Sequence, residues 1–204
     1  MTTFSQLMGT QTLLPIIQAD TVEQGLDIAK AMADSGLKVV EVVLRSDASL
    51  EALRAIKQQH PDLLVGAGTV LDTQMLQQAL DAGADFIVTP AITDALLKAV
   101  KACEVPGLPG VSTPADIALA RENGFHEMKL FPASLAGGIP FLKAVSSVFR
   151  DVVFCPTGGI NANNRCDYLA LPNVIGVGGT WVAQKEWVEA GEWHKITDAC
   201  KAVL

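Results

Sequence analysis

Histidine is scarce in this chain, cysteine is never paired in pattern, and no basic run occurs. Each of these absences removes a class of function. The three histidines are His60, His126 and His194. His60 and His194 fall in helical patterns and His126 precedes a strand, so neither a metal-ligand set nor a Ser/His/Asp arrangement is expected. The four cysteines, Cys103, Cys155, Cys166 and Cys200, have no C-x-x-C spacing, which signals neither a zinc site nor a redox pair. They read as reduced thiols of a cytoplasmic protein. No Lys/Arg cluster is present and the net charge is −7, which argues against broad nucleic-acid binding. No apolar run approaches the roughly 18 residues of a membrane span. Residues 1–9 lack a basic region followed by an apolar core, so no signal peptide is expected.

What the chain does contain is regular alternation. Its 204 residues are half hydrophobic and 18% charged, enough apolar surface for one well-buried domain over residues 1–204. A short leading helix is expected over residues 2–8. Short apolar runs then predict strands at 13–18, 39–44, 63–67, 86–89, 105–111, 127–131, 152–155 and 174–177. Between them lie helical patterns. The first opens with a capping-box spacing at Asp20 and Glu23 and ends at Gly36. Others cover 48–60, Asp72 to Gly83, 93–103, Thr113-Pro114 to Asn123-Gly124, 138–149, a start near 161, and 185–204. The segment 105–111 holds Pro106, Gly107, Pro109 and Gly110 and is barely a strand. Eight βα units of about 25 residues predict an α/β fold, a (β/α)₈ TIM barrel at the short end of its size range. The rival is an open doubly wound sheet. The absence of G-x-G-x-x-G after the first strand weakens a dinucleotide-binding version of it.

The chemistry concentrates in residues 127–134, Glu-Met-Lys-Leu-Phe-Pro-Ala-Ser. Lys129 sits inside an apolar run that Pro132 ends. A lysine there loses hydration, which disfavours the ammonium and favours the amine. A neutral amine attacks ketones to form a Schiff base. The plainer reading is a packed stem with its head group in solvent. Strand alternation puts Glu41, Val43 and Arg45 on one face of 39–44 and its extension, pointing inward, with Glu41 deeper and Arg45 near the rim. A carboxylate among Val39, Val40, Val42 and Val43 is costly unless paired or functional. An internal ion pair with Lys129 is the structural alternative, and even that pairing marks a site.

Barrels gather their active sites at the C-terminal ends of the strands and build phosphate sites after the last two. Thr157-Gly158-Gly159 and Gly178-Gly179-Thr180 stand there, and glycine lets backbone approach an anion closely. Gly66-Ala67-Gly68-Thr69 reads as a tight strand-to-helix turn in which Thr69 offers a hydroxyl to a substrate carboxylate. Trp181 is placed to line the site, and Trp187 and Trp193 to pack the terminal helices or a subunit contact. A barrel isomerase or epimerase with paired acid/base groups, or a non-catalytic phosphosugar-binding protein, also fits these features.

The motifs together resemble the class I KHG/KDPG aldolases, which cleave 2-dehydro-3-deoxy-6-phosphogluconate. The resemblance runs from about residue 13 to residue 193. It rests on Leu14-Pro15-Ile16-Ile17, Glu41-Val42-Val43-Leu44-Arg45, Gly66-Ala67-Gly68-Thr69-Val70, Pro109-Gly110-Val111-Ser112-Thr113-Pro114, Lys129-Leu130-Phe131-Pro132-Ala133, Pro156-Thr157-Gly158-Gly159-Ile160 and Gly178-Gly179-Thr180-Trp181. It implies a homotrimeric barrel acting on a phosphorylated keto-acid, with no metal or organic cofactor. Lys129 stands at the Schiff-base lysine and Glu41 at the general acid/base. Arg45 and Thr69 stand at positions holding the pyruvyl part, and Gly158, Gly159, Gly179 and Thr180 in the implied phosphate pocket. Leu130 and Ser134 depart from a Lys-Phe-Phe-Pro-Ala-Glu form, Thr180 stands where serine is expected, and Ser46 where threonine is common. The gluconate and galactonate epimers and 4-hydroxy-2-oxoglutarate all remain open as substrates.

Overall fold

A computed structural model describes residues 2–204. Its elements in chain order are α1 Phe4–Met8, β1 Leu13–Ile17, α2 Val22–Asp34, β2 Val39–Val43, α3 Ser49–Gln59, β3 Leu64–Gly68, α4 Thr73–Asp81, β4 Phe86–Val88, α5 Asp94–Ala102, β5 Gly107–Leu108, β6 Gly110–Val111, α6 Pro114–Glu122, β7 Glu127–Leu130, α7 Gly138–Ser146, β8 Val153–Phe154, α8 Arg165–Leu169, β9 Val177–Gly179, α9 Lys185–Glu189 and α10 Trp193–Lys201.

The helix starts follow side-chain chemistry. Thr93 accepts from the Leu96 N–H, Asp72 from the Met75 N–H, and Thr113 forms a reciprocal box with Asp116 ahead of Pro114, each satisfying an orphan donor of the first turn. The cap of α2 lies one residue later than expected. Thr21, not Asp20, accepts from the Gln24 N–H, and the Gln24 side chain turns back to the Asp20 N–H at 3.0 Å. The helix expected from residue 161 begins only at Arg165. The side chains of Asn161 and Asn164 accept from nearby backbone N–H groups there, holding a turn in place of a helix.

All strand pairs are parallel. They form one six-stranded sheet in the order β5-β4-β3-β2-β1-β9 and one three-stranded sheet in the order β6-β7-β8. The expected eight-stranded ring is therefore observed as two curled sheets of nine strands. The physical cause is Pro109, which has no N–H for a ladder and splits the strand expected over 105–111. β5 pairs with β4 and β6 pairs with β7 on either side of it. Between β8 and the β9 segment there are isolated parallel bridges, Phe154 to Val174 and Thr157 to Gly178. The strand expected at 174–177 is displaced to β9, where residues 177–179 pair with Leu13, Leu14 and Pro15.

Side-chain alternation divides the buried apolar residues into two groups. Val40, Val42, Val65, Ala67, Ile87, Met128 and Leu130 point outward and pack under the helices. Leu14, Val39, Phe86, Val88, Leu108 and Cys155 fill the concave side, together with Phe4 and Met8 of α1. Phe4 meets Phe86 edge to face with ring centroids 5.4 Å apart, so α1 closes the end of the sheet at which the strands begin. Ser5 ties α1 to β7, its N–H donating to Glu127 Oε2 at 3.1 Å. Gly66 is what lets Phe86 reach this position, since a Cβ there would stand 2.1 Å from the ring. Among the described residues no helix is long and apolar enough to cross a membrane.

Candidate active site

Glu41 and Lys129 reach the same buried point from opposite sides of the concave surface. Glu41 is in the middle of β2, level with Ile16 and Gly66 on the neighbouring strands, and Lys129 is on β7, level with Gly110. Both are inward-facing positions of their strands. Glu41 is 0% and Lys129 3% exposed, so the alternative of a solvent-reaching lysine head group is not what the structure shows. Lys129 Nζ lies 3.4 Å from Glu41 Oε1.

That contact is at the long end for a charge-assisted hydrogen bond. Glu41 Oε2 has no protein hydrogen-bond partner, the one such buried side-chain atom among the described residues. A pair kept for stability would be satisfied on both oxygens, because each unpaired buried oxygen costs free energy. A long contact with one oxygen spare is instead the arrangement of groups whose partner is a substrate. The Phe131 ring stands 5.1 Å from Lys129 Nζ and stabilises a cation there. Cys155 lies in the same buried layer. Burial pushes its thiol up to about 12, with the Lys129 and Glu41 charges acting in opposite senses, so it stays a neutral filler.

Gly68 explains how the carboxylate fits. A Cβ on Gly68 would stand 2.0 Å from Glu41 Oε1 and 2.7 Å from its Cδ. The strand expected at 63–67 runs on through Gly68, so the turn expected over Gly66-Ala67-Gly68-Thr69 starts later. The two glycines of β3 are inward positions left empty for Phe86 and Glu41. The turn itself falls on Thr69, a β-branched residue at φ 63°, a strained backbone of the kind found at functional sites. Thr69 Oγ1 accepts from Arg45 Nε at 3.1 Å, which fixes the guanidinium at the rim and leaves its terminal nitrogens without a protein partner among the described residues.

A cavity of about 200 Å³ opens above Lys129, with Arg45 on one side and Thr157, Gly158, Gly159, Gly179 and Thr180 on the other. Seven predicted site residues thus line one space. Glu41 is beneath it, and Thr69 is joined through Arg45. Gly178 does not line the cavity. It backs onto Thr157, whose Oγ1 would be 2.2 Å from a Cβ there. Trp181 does not line it either, because its ring packs against Gly179. Gln18, Phe131 and Ile160 also line the cavity; strand reading does not single them out as site residues, because neutral and apolar side chains carry no charge signal. A larger cavity of about 330 Å³ lies at the opposite end, beside α1 and Phe125, and contains none of these groups.

The family model for KDPG and KHG aldolase matches residues 5–199. The 2-dehydro-3-deoxy-phosphogluconate aldolase of Pseudomonas aeruginosa is 46% identical over 192 residues, covering 94% of this chain and 87% of the relative. The KHG/KDPG aldolase of Escherichia coli K12 is 40% identical over 203 residues, covering 100% and 95%. The crystal structure of the KDPG aldolase from Legionella pneumophila, with pyruvate captured as a covalent carbinolamine, superposes with TM-score 0.95 at 40% identity, covering 98% of this chain and 97% of that one.

Proposed function

The chain belongs to the KDPG and KHG aldolase family, and on that premise we propose that it is a Schiff-base aldolase cleaving 2-dehydro-3-deoxy-6-phosphogluconate to pyruvate and glyceraldehyde 3-phosphate. The observation that carries this reading is the buried Lys129–Glu41 contact, 3.4 Å long with one carboxylate oxygen unpaired.

Lys129 must surrender a proton before it attacks, and Glu41 Oε1 is the acceptor beside it. The amine adds to the C2 ketone, Glu41 passes the proton it took to the carbinolamine hydroxyl, which leaves as water, and a protonated imine remains with Glu41 again a carboxylate. That cation takes up the electron pair of the C3–C4 bond as it breaks. The C4 hydroxyl gives its proton to Glu41, directly or through water, and glyceraldehyde 3-phosphate leaves. Glu41 returns a proton to C3 of the enamine, and hydrolysis of the imine frees pyruvate and Lys129. Arg45, oriented by Thr69, pairs with the substrate carboxylate. Gly158, Gly159, Gly179, Thr180 and Thr157 hold the phosphate end of the substrate with backbone N–H and hydroxyl donors, with Gly178 behind them giving Thr157 its room.

The same reading takes residues 1–204 as one domain and the two sheets as a single closed (β/α)₈ barrel. In support, β5 and β6 are separated only by Pro109, and the Gly178 N–H donates to Pro156 O at 2.9 Å across the other seam. It also takes the protein to be a cytoplasmic homotrimer, on the family resemblance. Cleavage of 4-hydroxy-2-oxoglutarate to pyruvate and glyoxylate is a second activity, favoured by the relative from Escherichia coli whose name carries both substrates. The galactonate epimer differs from the gluconate substrate at one stereocentre, and comparison of kcat/KM for the three keto-acids ranks them.

Borohydride added with pyruvate should attach a reduced pyruvyl group to Lys129, detected by peptide mass. Lys129→Ala should be inactive, and Glu41→Gln slower by about 10² to 10⁴-fold. An isomerase or epimerase working through paired acid/base groups would turn over without labelling. A binding protein would bind the phosphorylated keto-acid without releasing pyruvate.

A further inference from the structure

The turn after β8 holds three successive carbonyls in fixed directions. Thr157 O accepts from the Ala133 N–H at 2.8 Å and Gly158 O from the Ser134 N–H at 3.0 Å. Gly159 O accepts from Asn164 Nδ2 at 2.9 Å. In a trans peptide the C=O and the following N–H point in opposite directions. Fixing these carbonyls therefore aims the N–H groups of Gly158, Gly159 and Ile160 away from the tethers. None of the three N–H groups has a partner among the described residues, and all three residues line the cavity above Lys129. The φ values of 96° at Gly158 and 79° at Gly159 are what allow consecutive N–H groups to form such a concavity.

Two of the three tethers are backbone donors, which any sequence supplies. The third is a side chain. Asn164 Oδ1 also accepts from the Asn161 N–H at 2.8 Å, so its amide is held from both ends. We propose that Asn164 is a positioning residue for the phosphate of the substrate, acting through the Gly159 carbonyl to aim the Ile160 N–H. The inference rests on the aldolase reading above. The position needs one acceptor and one donor on the same short side chain. Asparagine has both, aspartate has only the acceptor, and alanine has neither.

The test uses the full chain as wild type, Asn164→Ala and Asn164→Asp. Three quantities are measured: kcat and KM for 2-dehydro-3-deoxy-6-phosphogluconate, borohydride labelling of Lys129 by pyruvate, and solvent-deuterium exchange into the pyruvate methyl group. The last two need Lys129 and Glu41 but no phosphate. In both variants KM for the phosphorylated substrate should rise roughly 5- to 10-fold, the effect of one lost hydrogen bond, while labelling and exchange stay within twofold. If the alanine variant does not fold, the aspartate variant, which keeps the acceptor to Asn161, carries the test. Unchanged KM, or a parallel fall in exchange and cleavage, overturns the role of Asn164. A wild-type enzyme that neither labels nor exchanges sinks the aldolase reading itself, and this inference with it.

Discussion

Under the proposed mechanism, replacing Gly68 with alanine should slow proton transfer while leaving both Lys129 and Glu41 in the sequence. Gly68 lies on β3, and its φ is not in the left-handed region, so alanine is compatible with the backbone. Its Cβ, however, would be 2.0 Å from Glu41 Oε1, 2.7 Å from Cδ and 2.8 Å from Cγ. The strand cannot retreat easily, because Gly68 O accepts from the Leu44 N–H at 2.8 Å and residues 64–68 pair with β2 throughout. The carboxylate must yield, by about 1.4 Å to regain ordinary contact. Misplacement of a reacting group by about 1 Å costs on the order of 10²-fold in rate, or about 2.7 kcal/mol in the barrier. Overpacking adds a stability cost of about 1–3 kcal/mol, read separately from a thermal melt. The assay couples pyruvate release to lactate dehydrogenase and runs beside borohydride labelling with pyruvate. Gly68→Ala should cleave its substrate about 10²-fold more slowly, while Lys129 is still labelled after long incubation. Turnover near that of the wild type, with the Glu41–Lys129 contact unmoved in a crystal structure of the variant, would refute the reasoning.

Three further outcomes follow from the packing. Phe4→Ala should lose about 3–5 kcal/mol in a denaturant melt, because Phe4 is 1% exposed against Phe86; Leu135→Ala, at 85% exposure, should stay within about 0.5 kcal/mol, and equal losses would disprove the plug role of α1. Iodoacetamide on the native protein at mild alkaline pH should modify exposed Cys166 and spare Cys155, whose thiol burial pushes to about 12; Cys155 should react only after unfolding, and early labelling of it by peptide mapping would contradict the buried layer. The Asp116 carboxyl is opposed by its partial burial but is drawn below its usual value of 3.8 by hydrogen bonds from Ser112 and Thr113. Its stabilising contribution is therefore complete above about 3.8 and is lost as the pH falls through the lower folded value. The melting temperature of Asp116→Ala should thus trail the wild type at pH 7 and converge with it on acidification, and a gap that widens in acid would reverse the assigned sign.

The sequence carried the repeating units because each strand and helix leaves a local signature. β-branched runs at 39–44, the Thr113-Pro114 start and the glycine stops all act within a few residues of themselves. Lys129 and Glu41 were legible for a different reason, since a charge in an apolar strand is anomalous wherever the strand goes. The sequence places the turn too early, at Gly66-Ala67-Gly68-Thr69, because a glycine that makes room for a distant side chain looks the same, locally, as one that bends the backbone. Gln18 and Ile160 carry no site signal, because nothing in an uncharged side chain after a strand or in a turn announces a cavity. Asn164 carries no local signal, because its contact with Gly159 O exists only in the folded turn.

Local propensity and the alternation of side chains thus set the α/β pattern and the inward faces of the strands, and so nominated the lysine and the glutamate. Only the folded chain decided that 88 residues of sequence separation close to a 3.4 Å contact, that one carboxylate oxygen stays unpaired, and that two glycines stand empty beside Glu41 and Phe86. Those are properties of packing between strands, set by which side chains meet across the concave face, and no single segment contains them.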